Sequence, residues 1–317
     1  YDAPKEFERQ GAIAGDSPWR TSELNKTFGF APTYPQCLLV PATFSDAQLA
    51  EVAKFRSKAR LPVLSWFDKE TDAAIIRCAQ PLVGMSGRKS AADAELFDHM
   101  TRANSNGKPL LLTDARAWAA AFANKGRKGG YEDVSHYEGE AATKPELVFL
   151  NIDNIHVMRS SISKMHSLVC SNKRANNAPV RRSEIFNTDW LTHMGRILGG
   201  CRVIVEATWD RRSSVVHCSD GWDRTAQLCA GSEICLDPYY RTFEGFRVLL
   251  QREWHAFGHK VRDRTWGQLK PDGSIKADEV SPVLLQYLDY CHQLMYAHPK
   301  CFEFNEWFLL SLLDCLH

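Results

Sequence analysis

The segment Val215-Val216-His217-Cys218-Ser219-Asp220-Gly221-Trp222-Asp223-Arg224-Thr225 constrains the chain more than any other. It is an apolar run of strand length, a cysteine, five residues and an arginine, and then a helical pattern that begins near Thr225. If it forms strand, loop and helix, the backbone N–H groups between Cys218 and Arg224 curl around one centre at a helix N-terminus. Such a centre suits a phosphate. The planar fork of Arg224 can hold two phosphoryl oxygens, and a positive environment favours the thiolate of Cys218, the form that attacks phosphorus.

Spacing alone carries little weight, since Cys235 and Arg241 also stand six positions apart. That second pair encloses Pro238 and two tyrosines, lacks a glycine, follows no strand and falls where the preceding helix must end. The first pair has a strand before it, Gly221 within it, small or acidic residues around the sulfur and a helix after it. Only this context predicts a cradle.

The remaining chain supplies the frame. Apolar runs of strand length occur at Leu61–Trp66, Ala74–Cys78, Leu110–Thr113, Leu147–Ile152 and Ser214–His217. Between them, Met158, Ile162, Met165 and Val169 form one helical stripe, and Leu191, Met194, Leu198, Cys201 and Val205 another. Strands alternating with helices predict an α/β fold. Residues 1–60 read as an irregular arm leading into a short helix from Ser45 to Ala59. Beyond Arg224 strand signals stop and three helices are expected. One carries the stripe Phe243, Phe246, Leu250, Trp254 and Phe257; another carries Leu284, Leu288, Cys291 and Met295, with Ser281 as N-cap and Pro282 as first helical residue. Surface loops are expected at Gly126–Tyr131, Ser171–Ser183 and Lys270–Glu279.

Composition narrows the function classes. Hydrophobic residues at 44% and charged residues at 24% exclude wholesale disorder. Thirty-nine Lys+Arg against 38 Asp+Glu give a net +1, no case for a general nucleic-acid coat. Ten cysteines without a C-x-x-C pair argue against a disulfide scaffold, a zinc knuckle or a redox dithiol, and suit a reducing cytosol. No apolar stretch approaches the ~18 residues of a membrane span. The chain opens at Tyr1 and reads as an excerpt of a longer protein.

His217-Cys218-Ser219-Asp220-Gly221-Trp222-Asp223-Arg224-Thr225 resembles the signature of the myotubularin phosphoinositide 3-phosphatases, a branch of the cysteine-dependent tyrosine-phosphatase superfamily. The resemblance continues in family order through Glu6-Phe7-Glu8-Arg9, Arg60…Ser65-Trp66, Arg77…Gln80-Pro81, Asn154-Ile155-His156-Val157-Met158-Arg159, Tyr239-Tyr240-Arg241-Thr242, Glu253-Trp254…Phe257-Gly258-His259 and Phe302-Glu303-Phe304-Asn305-Glu306. It covers nearly the whole chain. It implies one tyrosine-phosphatase-like domain over residues 1–317, with a central sheet flanked by helices and a helical C-terminal part. Two departures stand out. The lipid-binding module that usually precedes this domain is absent from the chain, and Thr265–Gly273 replaces the Gly-His-Gly-Asp run of many members.

The resemblance also implies roles. Cys218 would be the nucleophile, Arg224 the phosphate-binding arginine and Asp223 the general acid, while Ser219, Asp220, Gly221 and Trp222 complete the loop. Loop geometry by itself leaves Asp220 a rival for the acid. By motif match Asn124, Asn154, Ile155, Lys260 and Arg264 would clasp the inositol ring and its phosphates. Asn154 is equally suited to N-cap the helix of Met158, and Lys260 and Arg264, at i and i+4, also fit a solvated helix face. His255 and His259 share that spacing but lack the glutamate of a metalloprotease helix, and no metal or organic cofactor is implied. The implied partner is a phosphoinositide in a membrane surface, with no nucleic acid, and homo- or hetero-oligomers with related proteins are compatible. The implied location is cytoplasmic, peripheral on endosomal-type membranes. The basic clusters Lys125-Gly126-Arg127-Lys128 and Lys173-Arg174…Arg181-Arg182 suit an anionic membrane or merely solubilise their loops. The alternatives are a protein phosphatase acting on phosphotyrosine or phosphoserine, and a catalytically silent adaptor.

Overall fold

The computed structural model describes residues 1–137, 143–174, 180–270 and 272–315. The segment read as an irregular arm holds the helix Ala3–Arg9, capped by Asp2, and an antiparallel pair, β1 (Trp19–Ser22) and β2 (Leu38–Pro41), registered Trp19 to Pro41. Four-residue strands this far apart in sequence leave no alternating signature, because the turn-rich stretch between them dominates the local pattern. The next helix is Asp46–Ala53, capped by Ser45 and Gln48 in a reciprocal capping box. It is shorter than expected. The chain turns away, and Ser57–Ala59 forms a 3₁₀ turn in which Lys58 takes φ 56°.

All five apolar runs become strands of one sheet: β3 (Val63–Asp68), β4 (Ala73–Ala79), β5 (Leu111–Asp114), β6 (Glu146–Phe149) and β7 (Ser214–Cys218). Their spatial order is β3-β4-β7-β5-β6, with β3 antiparallel to β4 and every other pair parallel. Strand alternation sorts β7 between two cores. Val216 and Cys218 pack on one face with Ile75 and the helices Trp190–Trp209, Arg224–Leu236 and Val283–Ala297. Val215 packs on the other face with Ile76, Leu112, β1, β2 and the helices Asp46–Ala53 and Ala91–Arg102. β7 lies between two parallel neighbours, so its C-terminal end opens at the sheet's centre, where α/β sheets place ligands.

Several local expectations are corrected. In Trp190–Trp209 the buried face is Met194, Ile197, Cys201 and Ile204, whereas Leu191 and Leu198 are exposed. In Ile155–Arg174, Val169 is exposed as well. Pro282 itself is the N-cap of Val283–Ala297, and the Ser281 hydroxyl instead donates to the Ile155 carbonyl at 3.0 Å. The chain after Arg224 is not purely helical: β8 (Gln268–Leu269) pairs with β9 (Ile275–Lys276). It also holds further short helices beside Phe243–Leu250, Val283–Ala297 and Glu306–Asp314. The Phe243 stripe runs from Phe243–Leu250 into a π-helical turn, Gln251–Ala256. Of the expected loops, Gly126–Tyr131 begins inside the 3₁₀ turn Asn124–Arg127, Lys270–Glu279 contains β9, and residues 175–179 of Ser171–Ser183 lie outside the described residues.

Candidate active site

β7 delivers Cys218 to the sheet's centre, and Arg224 is the first residue of Arg224–Leu236. Between them Gly221 takes φ +77°, where a Cβ would sit 2.4 Å from the Cys78 carbonyl oxygen, so only glycine fits. In this conformation the Gly221 N–H donates to Cys218 Sγ at 3.3 Å. Its carbonyl points away from the pocket and accepts from two buried guanidiniums, Arg60 Nη2 at 2.8 Å and Arg77 Nη2 at 2.9 Å. Each arginine is held in turn. Arg60 donates to the Thr33 and Phe257 carbonyls at 2.7 and 3.0 Å, and Arg77 donates to the Glu253 carboxylate at 2.7 Å. The loop is further tied by Gln80 N–H to the Ser219 carbonyl at 3.1 Å and by Ser57 Oγ to Asp220 Oδ1 at 3.0 Å.

Cys218, Ser219, Asp220, Trp222, Asp223, Arg224, Asn154, Ile155, Lys260 and Arg264 share one pocket of about 440 Å³. Lys58, Arg127, His156, Gln268 and Glu279 complete its wall, giving five cationic side chains against three carboxylates. That balance suits an anionic ligand. Gly221 supports the loop through its backbone, and Asn124 lines an adjoining pocket of about 360 Å³ that shares Arg127, Asn154, Ile155, His156, Ser219 and Arg224 with the first. Its amide reaches Ser219 Oγ at 3.4 Å. Asn154 does cap its helix, accepting from the His156 and Val157 N–H groups at 2.9 and 3.2 Å, while it also faces the pocket. Lys260 Nζ stands 4.5 Å from the centroid of the Trp222 ring. Arg224 Nη1 donates to the Ile152 carbonyl at 3.2 Å.

Arg264 does not lie on a solvated face. It is 6% exposed and forks onto Asp223 through Nε to Oδ1 at 3.0 Å and Nη2 to Oδ2 at 2.9 Å. Its Nη1 donates to Glu279 Oε2 at 2.9 Å. His259 Nδ1 lies 2.8 Å from the Trp222 carbonyl, which can only accept, so Nδ1 carries the proton and also reaches Asp223 Oδ1 at 3.2 Å. Burial alone would raise the Asp223 carboxyl, but the hydrogen bonds from His259 and Arg264 outweigh it and hold the group far below the usual carboxylate range. In the ligand-free site Asp223 is ionised.

The sequence motifs gave no role to Arg60, Arg77, His259, Glu253, Lys58 or Glu279. Arg60, Arg77, Glu253 and His259 stand within the matched segments, but nothing in a linear pattern marks an arginine as buried beneath a loop far along the chain. Lys58 and Glu279 sit in turns whose composition resembles ordinary solvated surface.

A cysteine sulfur receiving a backbone N–H, an arginine opening a helix, and a carboxylate among cations make a site able to bind a phosphoryl group and displace its ester oxygen. Residues 1–317 match the family model of the myotubularin-like phosphatase domain. The chain is 43% identical over 318 residues to myotubularin of Xenopus tropicalis, covering 100% of this chain and 51% of that protein. It is 42% identical over 327 residues to phosphatidylinositol-3,5-bisphosphate 3-phosphatase MTMR2 of Bos taurus, covering 100% of this chain and 47% of that protein. The same enzyme of Gallus gallus is 42% identical, with 53% of its length covered. The chain thus spans about half the length of the curated relatives it matches.

Proposed function

The chain belongs to the myotubularin-like phosphatase family, and from that premise we propose that it hydrolyses the D3 phosphate of phosphatidylinositol 3-phosphate, phosphatidylinositol 3,5-bisphosphate or both. The observation that carries this reading is the Gly221 N–H aimed at Cys218 Sγ in a pocket with a cationic surplus. Cys218 attacks phosphorus as the thiolate. A P–S bond forms while the P–O bond to the inositol ring breaks, and Asp223, in its acid form, gives its proton to the departing oxygen. Water then attacks the phosphocysteine, Asp223 takes a proton from it, and inorganic phosphate leaves. Loop N–H groups and Arg224 hold the equatorial oxygens throughout. The sequence of steps calls on no metal or organic cofactor.

The lipid stays in its membrane during this reaction, so the pocket mouth faces the bilayer. Two features beside the pocket support that placement. Trp118 and Phe122 stack on each other at 5.3 Å on an exposed helix face, and Lys125, Arg127 and Lys128 follow in the next turn. Interfacial aromatics beside basic residues suit an anionic lipid surface. We assign the protein to the cytoplasmic face of endosomal-type membranes on the strength of the family.

Phosphate release from short-chain 3-phosphoinositides, measured beside phosphotyrosyl and phosphoseryl peptides, tests the reading. Release from the lipids is expected. Release from peptides alone would make the chain a protein phosphatase, and release from none would make it a silent adaptor.

A further inference from the structure

The contacts of Asp223 oppose the task given to it. A proton donor must carry a proton, and a carboxylate clasped by both edges of a guanidinium does not. We infer that Arg264 is a positioning residue that locks Asp223 in its ionised form, and that a second ring phosphate, one the reaction does not remove, draws Arg264 away and lets Asp223 become the acid. The inference rests on the phosphoinositide phosphatase reading above.

The geometry gives the lock its competitors. Arg264 already serves two carboxylates, Asp223 through Nε and Nη2 and Glu279 through Nη1. Nη1 is spent on Glu279, donating to its carboxylate at 2.9 Å and to its carbonyl at 3.2 Å, so a phosphate takes up the Nε–Nη2 fork only by displacing Asp223, and a phosphate dianion outbids a single carboxylate. Asp223 is then left buried beside new negative charge, and burial and like charge both favour its protonated form. His259 does not compensate, because its Nδ1–H remains shared with the Trp222 carbonyl at 2.8 Å. The charged groups around Asp223 are consistent with this. Cys218, Asp220 and Arg224 stand on its own loop, and Lys58, Arg127, His156, Lys260 and Glu279 face the pocket from other elements.

The proton balance is simple. Asp223 takes one proton from solvent when the ligand binds, gives it to the leaving inositol oxygen as the P–Sγ bond forms, and regains one from the attacking water. The second phosphate therefore acts on kcat and not only on KM.

Arg264→Gln removes the lock and keeps a polar side chain in the pocket. On short-chain lipids, kcat for the monophosphate is expected to rise about tenfold, a part of the ~10²–10⁴-fold that acid catalysis supplies. Its kcat should approach that for the bisphosphate, the basic limbs of the two kcat–pH profiles should coincide, and KM for the bisphosphate alone should increase. Unchanged monophosphate kcat, or an equal fall on both substrates, would overturn the inference. A second measurement stands if that variant folds poorly. Calorimetry of Cys218→Ser in two buffers should show one more proton taken up with the bisphosphate than with the monophosphate, and Asp223→Asn added to it should erase the difference. Equal uptake in Cys218→Ser would sink the lock. Extra uptake in a chain whose unmodified form hydrolyses neither lipid would uphold the lock and refute the phosphatase reading.

Discussion

Cys218 and Gly221 depend on each other. The sulfur is the reacting atom, and the left-handed backbone of Gly221 turns an N–H toward it while handing the carbonyl to Arg60 and Arg77. Cys218→Ser is therefore expected to abolish turnover yet keep lipid binding, since the backbone cradle and Arg224 survive; phosphate release and equilibrium binding on the same sample check both halves. Gly221→Ala is expected to lose activity and about 1–2 kcal/mol from the left-handed backbone alone, with more from the contact with Cys78, read by urea denaturation. Asp223 allows two tests. An inositol hydroxyl leaves poorly without a proton and a nitrophenolate leaves well, so Asp223→Asn should slow lipid hydrolysis ~10²–10⁴-fold and nitrophenyl phosphate hydrolysis far less. A selective loss in Asp220→Asn instead would reverse the roles. The folded Asp223 also titrates below its ordinary 3.8, so its stabilising contribution is present above that range and lost as pH falls through it toward the folded value. The stability gap between the unmodified chain and Asp223→Asn should be full near about pH 6 and should close on acidification.

At the scale of elements, the π-helical turn Gln251–Ala256 works at a distance. It brings Arg252 and Glu253 side by side into the core, where Glu253 bonds Arg77, Arg252 Nε at 2.9 Å and Ser65 Oγ at 2.6 Å. Such turns recur at functional sites, and this one connects the helix Phe243–Leu250 to the loop carbonyl through Arg77. Glu253→Gln takes the carboxylate from buried Arg77, while Arg252 keeps Glu233 and Glu6, and is expected to cost about 3–5 kcal/mol, with reduced turnover in whatever remains folded. The helix Trp118–Ala123 has the opposite character, with Trp118 and Phe122 open to solvent. Trp118→Ala with Phe122→Ala should lower turnover on lipid vesicles severalfold and leave short-chain soluble substrate unaffected; equal losses on both would deny the helix a membrane role. The five central strands were legible in sequence because each is a short apolar run in a sheet covered on both faces. β1, β2, β8 and β9 were not, since strands of two to four residues in isolated two-stranded pairs carry no period, and Ser281 misled because its hydroxyl is spent on Ile155.

Across the whole molecule, legibility follows sequence distance. The loop was readable because its nucleophile, glycine and arginine are contiguous, and Asn154 announced its cap within three residues. The Arg60 contact to Gly221 spans 161 positions and the Arg77 contact 144, so neither leaves a local trace. The Asp223–Arg264 pair, 41 positions apart, reads in sequence as a general acid and a separate substrate ligand and is one ion pair at rest. The carbonyl clamp on Gly221 also bears on portability. Grafting His217 to Thr225 onto another strand–helix junction would transplant the nucleophile and leave behind the two guanidiniums that fix the peptide plane. A recipient would have to supply buried cations of its own, and they in turn need carboxylates and free carbonyls around them. The catalytic motif is nine residues of text, but as a working device it cannot be cut out of this domain.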